Sequence, residues 1–85
     1  MENYKVDITN SARKEIKNLD SQITKRIVEK LKSLEDNPFP FGYKKLIARN
    51  GYRVKVGDYR IIYDVLEAEK IVRIYKAGHR KDVYR

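Results

Sequence analysis

The sequence predicts an α+β domain: a twisted, mainly antiparallel sheet with a two-helix hairpin packed on one face, in the order β-α-α-β-β-β-β. Three observations carry this expectation. Residues 52–63 read Tyr-Arg-Val-Lys-Val-Gly-Asp-Tyr-Arg-Ile-Ile-Tyr, alternating on either side of Gly57-Asp58, which is the mark of a β-hairpin with a two-residue turn. Upstream, apolar residues recur at helical spacing in two consecutive stretches. The elements also sort by type, a strand and two helices before four strands, which suits one sheet with its helices gathered on a single face.

The first strand is Tyr4-Lys5-Val6-Asp7-Ile8, where polar and apolar residues alternate. Thr9 or Asn10 can then accept a hydrogen bond from a free first-turn N–H and start a helix. Ala12, Ile16 and Leu19 form the apolar stripe of that helix. Asp20 or Ser21 supplies a second cap, and Ile23, Ile27, Leu31 and Leu34 line the second helix, with Lys25, Arg26, Glu29, Lys30 and Lys32 elsewhere on its surface. Asp36-Asn37-Pro38 ends it, because a residue preceding proline is pushed out of the α region. Pro38 to Tyr43 is a loop whose Phe39 and Phe41 are expected to pin it on the edge of the core, base stacking being the alternative. A weak strand, Lys44 to Ala48, and a turn at Arg49-Asn50-Gly51 lead into the central hairpin. Leu66 to Glu69 makes another turn and Lys70 to Lys76 a last strand, with Val72 and Ile74 toward the core; Ala77 to Arg85 reads as a short tail.

In the hairpin, Gly at the first central position suits a type II′ turn. Val56 then faces Tyr59, Lys55 faces Arg60, Val54 faces Ile61 and Arg53 faces Ile62. Directly opposed residues share a face. One face therefore carries Tyr52, Val54, Val56, Tyr59, Ile61 and Tyr63, which the helices can cover, and the other carries Arg53, Lys55 and Arg60, with Arg73 on the last strand. Three cations side by side repel one another, an arrangement that suits a bound polyanion. The ordinary reading is a solvated strand face, with the tyrosines at 52, 59 and 63 serving as packing.

Composition narrows the function classes. At 85 residues the chain is expected to form one domain. The absence of cysteine removes disulfides, iron–sulfur clusters and thiolate zinc sites and fits a reducing cytoplasm. No apolar run reaches membrane-spanning length and no signal-peptide core is present, so a soluble cytoplasmic protein is expected. The net charge of +8 is one-sided: residues 1–43 hold eight Lys/Arg against seven Asp/Glu, whereas residues 44–85 hold twelve against five. Such an excess is the electrostatic footprint of a nucleic-acid binder.

The opening strand–helix–helix, Asp36-Asn37-Pro38, the hairpin Tyr52–Tyr63 and the closing Gly78-His79-Arg80-Lys81-Asp82-Val83-Tyr84 resemble RelE-type toxins of the RelE/ParE superfamily of bacterial and archaeal type II toxin–antitoxin systems. The likeness covers almost the whole chain. It implies a metal-independent mRNA endoribonuclease that cuts the codon in the ribosomal A site and is neutralised by a small RelB-like antitoxin. The family's catalytic positions fall on Arg53, Lys55, Arg60, Arg80 and Tyr84, and Lys44, Lys45, Arg73 and Lys81 are expected to extend the RNA-binding surface. Two departures stand out. The first basic position is often lysine and is Arg53 here, a group that cannot serve as a base. The sequence also ends one residue after Tyr84, so contacts that relatives make through a C-terminal helix are expected to be missing.

Beside this resemblance the residues themselves support metal-free RNA cleavage, in which the 2′-hydroxyl attacks the adjacent phosphate. There is one histidine, His79, and it is expected to be structural; no carboxylate cluster suggests a metal, and no cofactor is expected. Lysine, arginine and tyrosine remain. Lys55 and Tyr84 are the candidate bases, since clustered cations favour the less positive form of a neighbour. Arg53 and Arg60 have forked donors suited to gripping a phosphate. Arg80 suits the leaving oxygen, and Tyr84 alternatively stacks on a base. The competing functions are a ParE-like inhibitor of DNA gyrase with the same fold, and an RNA-binding module without catalysis.

Overall fold

The computed structural model describes residues 3–83. Its elements are β1 (Lys5–Ile8), α1 (Asn10–Lys17), α2 (Ser21–Asp36), β2 (Lys44–Lys45), β3 (Tyr52–Val56), β4 (Tyr59–Leu66) and β5 (Ile71–His79). The strands form one sheet in the order β1-β5-β4-β3-β2. β1 runs parallel to β5 and every other neighbouring pair is antiparallel. This is the expected α+β architecture, β-α-α-β-β-β-β.

Local chemistry sets the helix ends. The Thr9 hydroxyl oxygen accepts from the Ala12 N–H at 3.2 Å, satisfying one of the unpaired first-turn donors of α1. Asp20 stands at the N-cap of α2 without a side-chain capping bond. The junction is held instead by Thr24, whose hydroxyl donates to the Ile16 carbonyl at 3.0 Å and so occupies an acceptor at the end of α1. α2 stops at Asn37, extended at φ −149° and ψ 101° as a residue before proline must be, and its Oδ1 takes the Phe39 N–H. Ala12, Ile16, Ile27, Leu31 and Leu34 from the helices bury against Val54, Val56, Ile61, Tyr63, Val72, Ile74 and Ala77 from the sheet.

The hairpin register is the one its alternation predicts, from Val56 opposite Tyr59 to Tyr52 opposite Tyr63. Gly57 sits at φ +59° and Asp58 keeps a negative φ, as a type II′ turn requires. Gly51 is needed for space as well as for its φ of +119°, since a Cβ there would lie 2.9 Å from the Tyr63 carbonyl oxygen.

Four expectations need correction. β2 ends at Lys45 rather than Ala48: Leu46 N–H bonds back to Gly51 O, and Ala48 turns the chain at φ 66°. β5 begins one residue later than expected and continues through His79, because Ala77, Gly78 and His79 pair with Ile61, Arg60 and Tyr59. A bulge at Tyr75 lies within it: Ile62 pairs with Lys76 but Tyr63 pairs with Ile74. Ala77 thereby returns to the core three residues after Ile74, and its N–H is taken by Glu15 Oε1 of α1. Finally, Phe39 does pack against Tyr43 and Tyr52, but Phe41 projects wholly into solvent.

Candidate nucleic-acid interface

With the helices on one face of the sheet, the other face is organised in rows running across the strands. One row is Lys55, Arg60 and Gly78; the next is Arg53, Ile62 and Lys76, with Lys44 beside Arg53 on β2. Directly opposed residues share a face, so Lys44, Arg53 and Lys55 stand with Arg60 opposite the core, whereas Lys45, expected among them, is opposed to Tyr52 on the helix side. The rows lie about 7 Å apart, two residues along a strand. Lys44, Lys45 and Lys55 are exposed and Arg53 is half-buried.

Arg60 departs from the expected solvated cation. It is only 7% exposed. Its Nη1 donates to the carbonyl oxygens of Gly57 (3.2 Å) and Tyr59 (3.1 Å), the backbone of the hairpin turn. Its Nε is buried with no hydrogen-bond partner among the described residues. The tail folds back on the same side of the hairpin turn. After β5 the Arg80 N–H donates to Asp58 O at 2.9 Å, and the Asp82 and Val83 N–H groups both turn back to His79 O. Val83 is 5% exposed and shares a cleft with Ile62 and Arg53, so the turn at 80–83 comes back over the cationic face. A half-spent guanidinium in such a place keeps a strong donor in reserve, and an unpaired buried donor is costly.

The other expected residues divide. Arg80 and Lys81 are exposed on the tail turn, beside the hairpin turn that Arg80 anchors. The Lys81 N–H donates to His79 Nδ1, and the His79 ring meets Tyr59 edge-on at 5.4 Å, so the histidine holds the turn in shape. Arg73 is on the expected face but away from the others. It pairs across the sheet with Asp7 and Asp64 and bonds Asp7 Oδ2 through Nε at 2.9 Å, a contact that raises its pKa. Arg60 is four residues away along β4, about 13 Å. Tyr84 lies outside the described residues. Among the described residues no group of three or more His, Cys, Asp or Glu side chains gathers as a metal site would require.

Two residues of this face escape a reading of the sequence. Arg49 belongs to a turn motif, and Val83 sits in a tail without periodicity, yet both line the cleft beside Arg53 and Ile62. Only the return of the tail reveals them.

Comparison with known proteins places this geometry in context. The family model described as the ParE toxin of type II toxin–antitoxin systems, parDE, matches residues 6–84. A relative from Methanocaldococcus jannaschii, provisionally named toxin RelE1, is 31% identical over 86 aligned residues, covering 96% of each chain. Among solved structures, the chain is similar to the archaeal RelE–RelB complex of Pyrococcus horikoshii (31% identity, TM-score 0.81, covering 98% of this chain and 100% of that one). It is also similar to the toxin–antitoxin complex RelBE2 of Mycobacterium tuberculosis (27% identity, TM-score 0.82, covering 92% and 99%).

Proposed function

Because the chain belongs to the RelE/ParE family of type II toxins, we propose that it is a ribosome-dependent mRNA endoribonuclease, cutting the A-site codon and held inactive by a RelB-like antitoxin. The observation that carries this reading is the Lys55–Arg60 cross-strand pair opposite the helices, with Arg53 and Lys44 in the adjoining row. Antitoxin complexes of the similar RelE-type toxins support the partner.

The chemistry follows from the groups at hand. The 2′-oxygen attacks phosphorus while Lys55 or Tyr84 accepts its proton; the bond from phosphorus to the 5′-oxygen breaks and that oxygen takes a proton from water, leaving a 2′,3′-cyclic phosphate and a 5′-hydroxyl. Arg53 and Arg60 hold the non-bridging oxygens as forked donors. Arg60 contributes its unspent Nε once the tail turn shifts to admit the phosphate. Arg80, on that turn, stabilises the departing oxygen. These are weak acids and bases, so much of the rate must come from positioning, and the ribosome supplies it by presenting the codon aligned for attack.

Lys55 is exposed, so Lys55→Ala leaves folding intact while reducing cleavage by about 100-fold or more. The assay maps new mRNA 3′ ends on programmed ribosomes. Codon-internal ends bearing cyclic phosphate, lost in the variant, support the nuclease; undiminished cleavage by Lys55→Ala removes the site. The match to a family model named for ParE favours a second reading, inhibition of DNA gyrase. Intact mRNA together with trapped gyrase–DNA breaks would establish that alternative.

A further inference from the structure

The loop after α2 holds a large aromatic ring outside the fold at a fixed place. Its base is braced: the Tyr63 hydroxyl donates to the Pro38 carbonyl at 2.7 Å, and the Phe39 ring lies 5.3 Å from Tyr43 and 5.2 Å from Tyr52. Beyond that base the Tyr43 N–H donates to the Pro40 carbonyl at 3.0 Å, closing a four-residue turn with Phe41 and Gly42 at its centre. Gly42 stands at a φ of 90° and Phe41 keeps a negative φ, which makes the turn type II. Phe41, at the tip, is fully exposed. Phe41, Tyr43 and Ile47 are three of the five exposed large hydrophobic or aromatic side chains among the described residues, and they fall within seven consecutive positions around β2. Apolar residues scattered singly over a surface need no explanation, whereas a concentration of them marks an interaction site.

We propose that Phe41 is a stacking platform for a base of the RNA strand that lies on the cationic face. The proposal rests on the RNA-cleaving reading and adds a contact outside the cutting site, made by a ring that neither the core nor the phosphate chemistry uses. Charge selects the partner. Residues 38–57 contain no Asp or Glu and five Lys/Arg, so the ring stands at an acid-free, cationic edge of the sheet. A neutral apolar surface would gain nothing from that charge, and a bare polyanion would gain nothing from the ring. Single-stranded RNA answers both, with phosphates for the lysines and a flat π-face for phenylalanine. The positions agree. β2 is the edge strand, and its Lys44 stands in the row of Arg53 on the cationic face. Phe41 is three residues before Lys44, at most about 11 Å away along the chain. A strand whose phosphate meets Lys44 therefore carries its bases within reach of the ring. The braced turn fixes the backbone under the ring before RNA arrives, so little ordering remains to offset the stacking.

Binding of oligoadenylate to the full chain tests this without any cleavage step. The sequence contains no tryptophan, so Phe41→Trp places a lone fluorescent reporter at the tip. Oligoadenylate is expected to quench it, and inorganic polyphosphate of equal charge, which has no bases, is expected to leave it unchanged. Phe41→Ala is expected to weaken oligoadenylate binding about tenfold. The slope of log affinity against log salt should stay as in the native protein, since no phosphate contact is lost. Phe41→Leu, which keeps apolar bulk without a π-face, is expected to bind as weakly as Phe41→Ala. Both variants keep the native unfolding midpoint, because the side chain is fully exposed. Absent quenching, or equal quenching by polyphosphate, overturns the platform. Undiminished RNA affinity in Phe41→Ala overturns it too and leaves the tip to an apolar pocket on a protein; leucine serving as well as phenylalanine overturns it in favour of a general apolar contact. The two readings fail separately. Cleavage of mRNA on ribosomes without quenching removes the platform alone; quenching in a protein that cuts nothing on ribosomes keeps the platform and removes the nuclease.

Discussion

Tyr63 shows what a single side chain decides here. Its ring is fully buried and its hydroxyl donates to the Pro38 carbonyl at 2.7 Å, tying the loop after α2 to the sheet. Tyr63→Phe leaves that carbonyl unpaired and should cost about 1–3 kcal/mol in urea unfolding. Burial, followed by the neighbouring Tyr43 and Tyr52, also raises the phenol's pKa well above its ordinary 10. The folded chain therefore keeps the proton after the unfolded chain has lost it. Stability from this group is complete below about pH 10 and declines as pH rises beyond it. Unfolding midpoints measured from about pH 8 to 11 should fall in the native protein and fall less in Tyr63→Phe; parallel curves would mean that other groups govern the alkaline limb. Lys55 and Arg60 mark the limit of sequence reading at this scale. Alternation around Gly57-Asp58 places both on the non-core face, and they are there, but nothing local to Arg60 tells that it is buried.

Elements differ in how far their own residues specify them. α1 begins where Thr9 caps it, and Thr9→Ala should cost about 1 kcal/mol in chemical denaturation while Thr9→Ser costs little. The hairpin is equally self-contained, its turn chemistry and register both written in twelve consecutive residues. β2 is the opposite case. Five residues with weak strand character become two, because the loop that follows needs Ala48 in the left-handed region. Ala48→Gly should therefore raise stability by about 0.5–1 kcal/mol, read as a higher denaturation midpoint; a loss would mean that the loop gains more from a stiffer unfolded chain than it spends on strain. β5 combines both behaviours, with Val72 and Ile74 legible from alternation and the Tyr75 bulge not, since a bulge appears only when a strand is laid against its partner.

For the whole molecule the governing fact is that the second half of the chain, with most of the excess positive charge, supplies β2 to β5 and the tail. If RNA lies on the face opposite the helices, affinity for a short oligoribonucleotide should fall linearly on a log–log plot against salt. Lys44→Ala, on that face, should lessen the slope by about 0.7, the value for one single-strand phosphate contact. Lys25→Ala on α2 should leave it unchanged, and equal effects from both variants would indicate diffuse charge rather than a docking face. The sequence by itself determined the α+β class, the cap of α1, the hairpin register and the side of the sheet on which Arg53, Lys55 and Arg60 stand, because each depends on residues within one or two turns or a two-residue period. Tertiary structure alone decided the bulge, the Arg73–Asp7 pairing, the burial of Arg60 and the return of the tail, which brings Val83 beside Ile62. Those features join residues more than ten positions apart, through contacts such as Arg80 to Asp58, and no local periodicity encodes them.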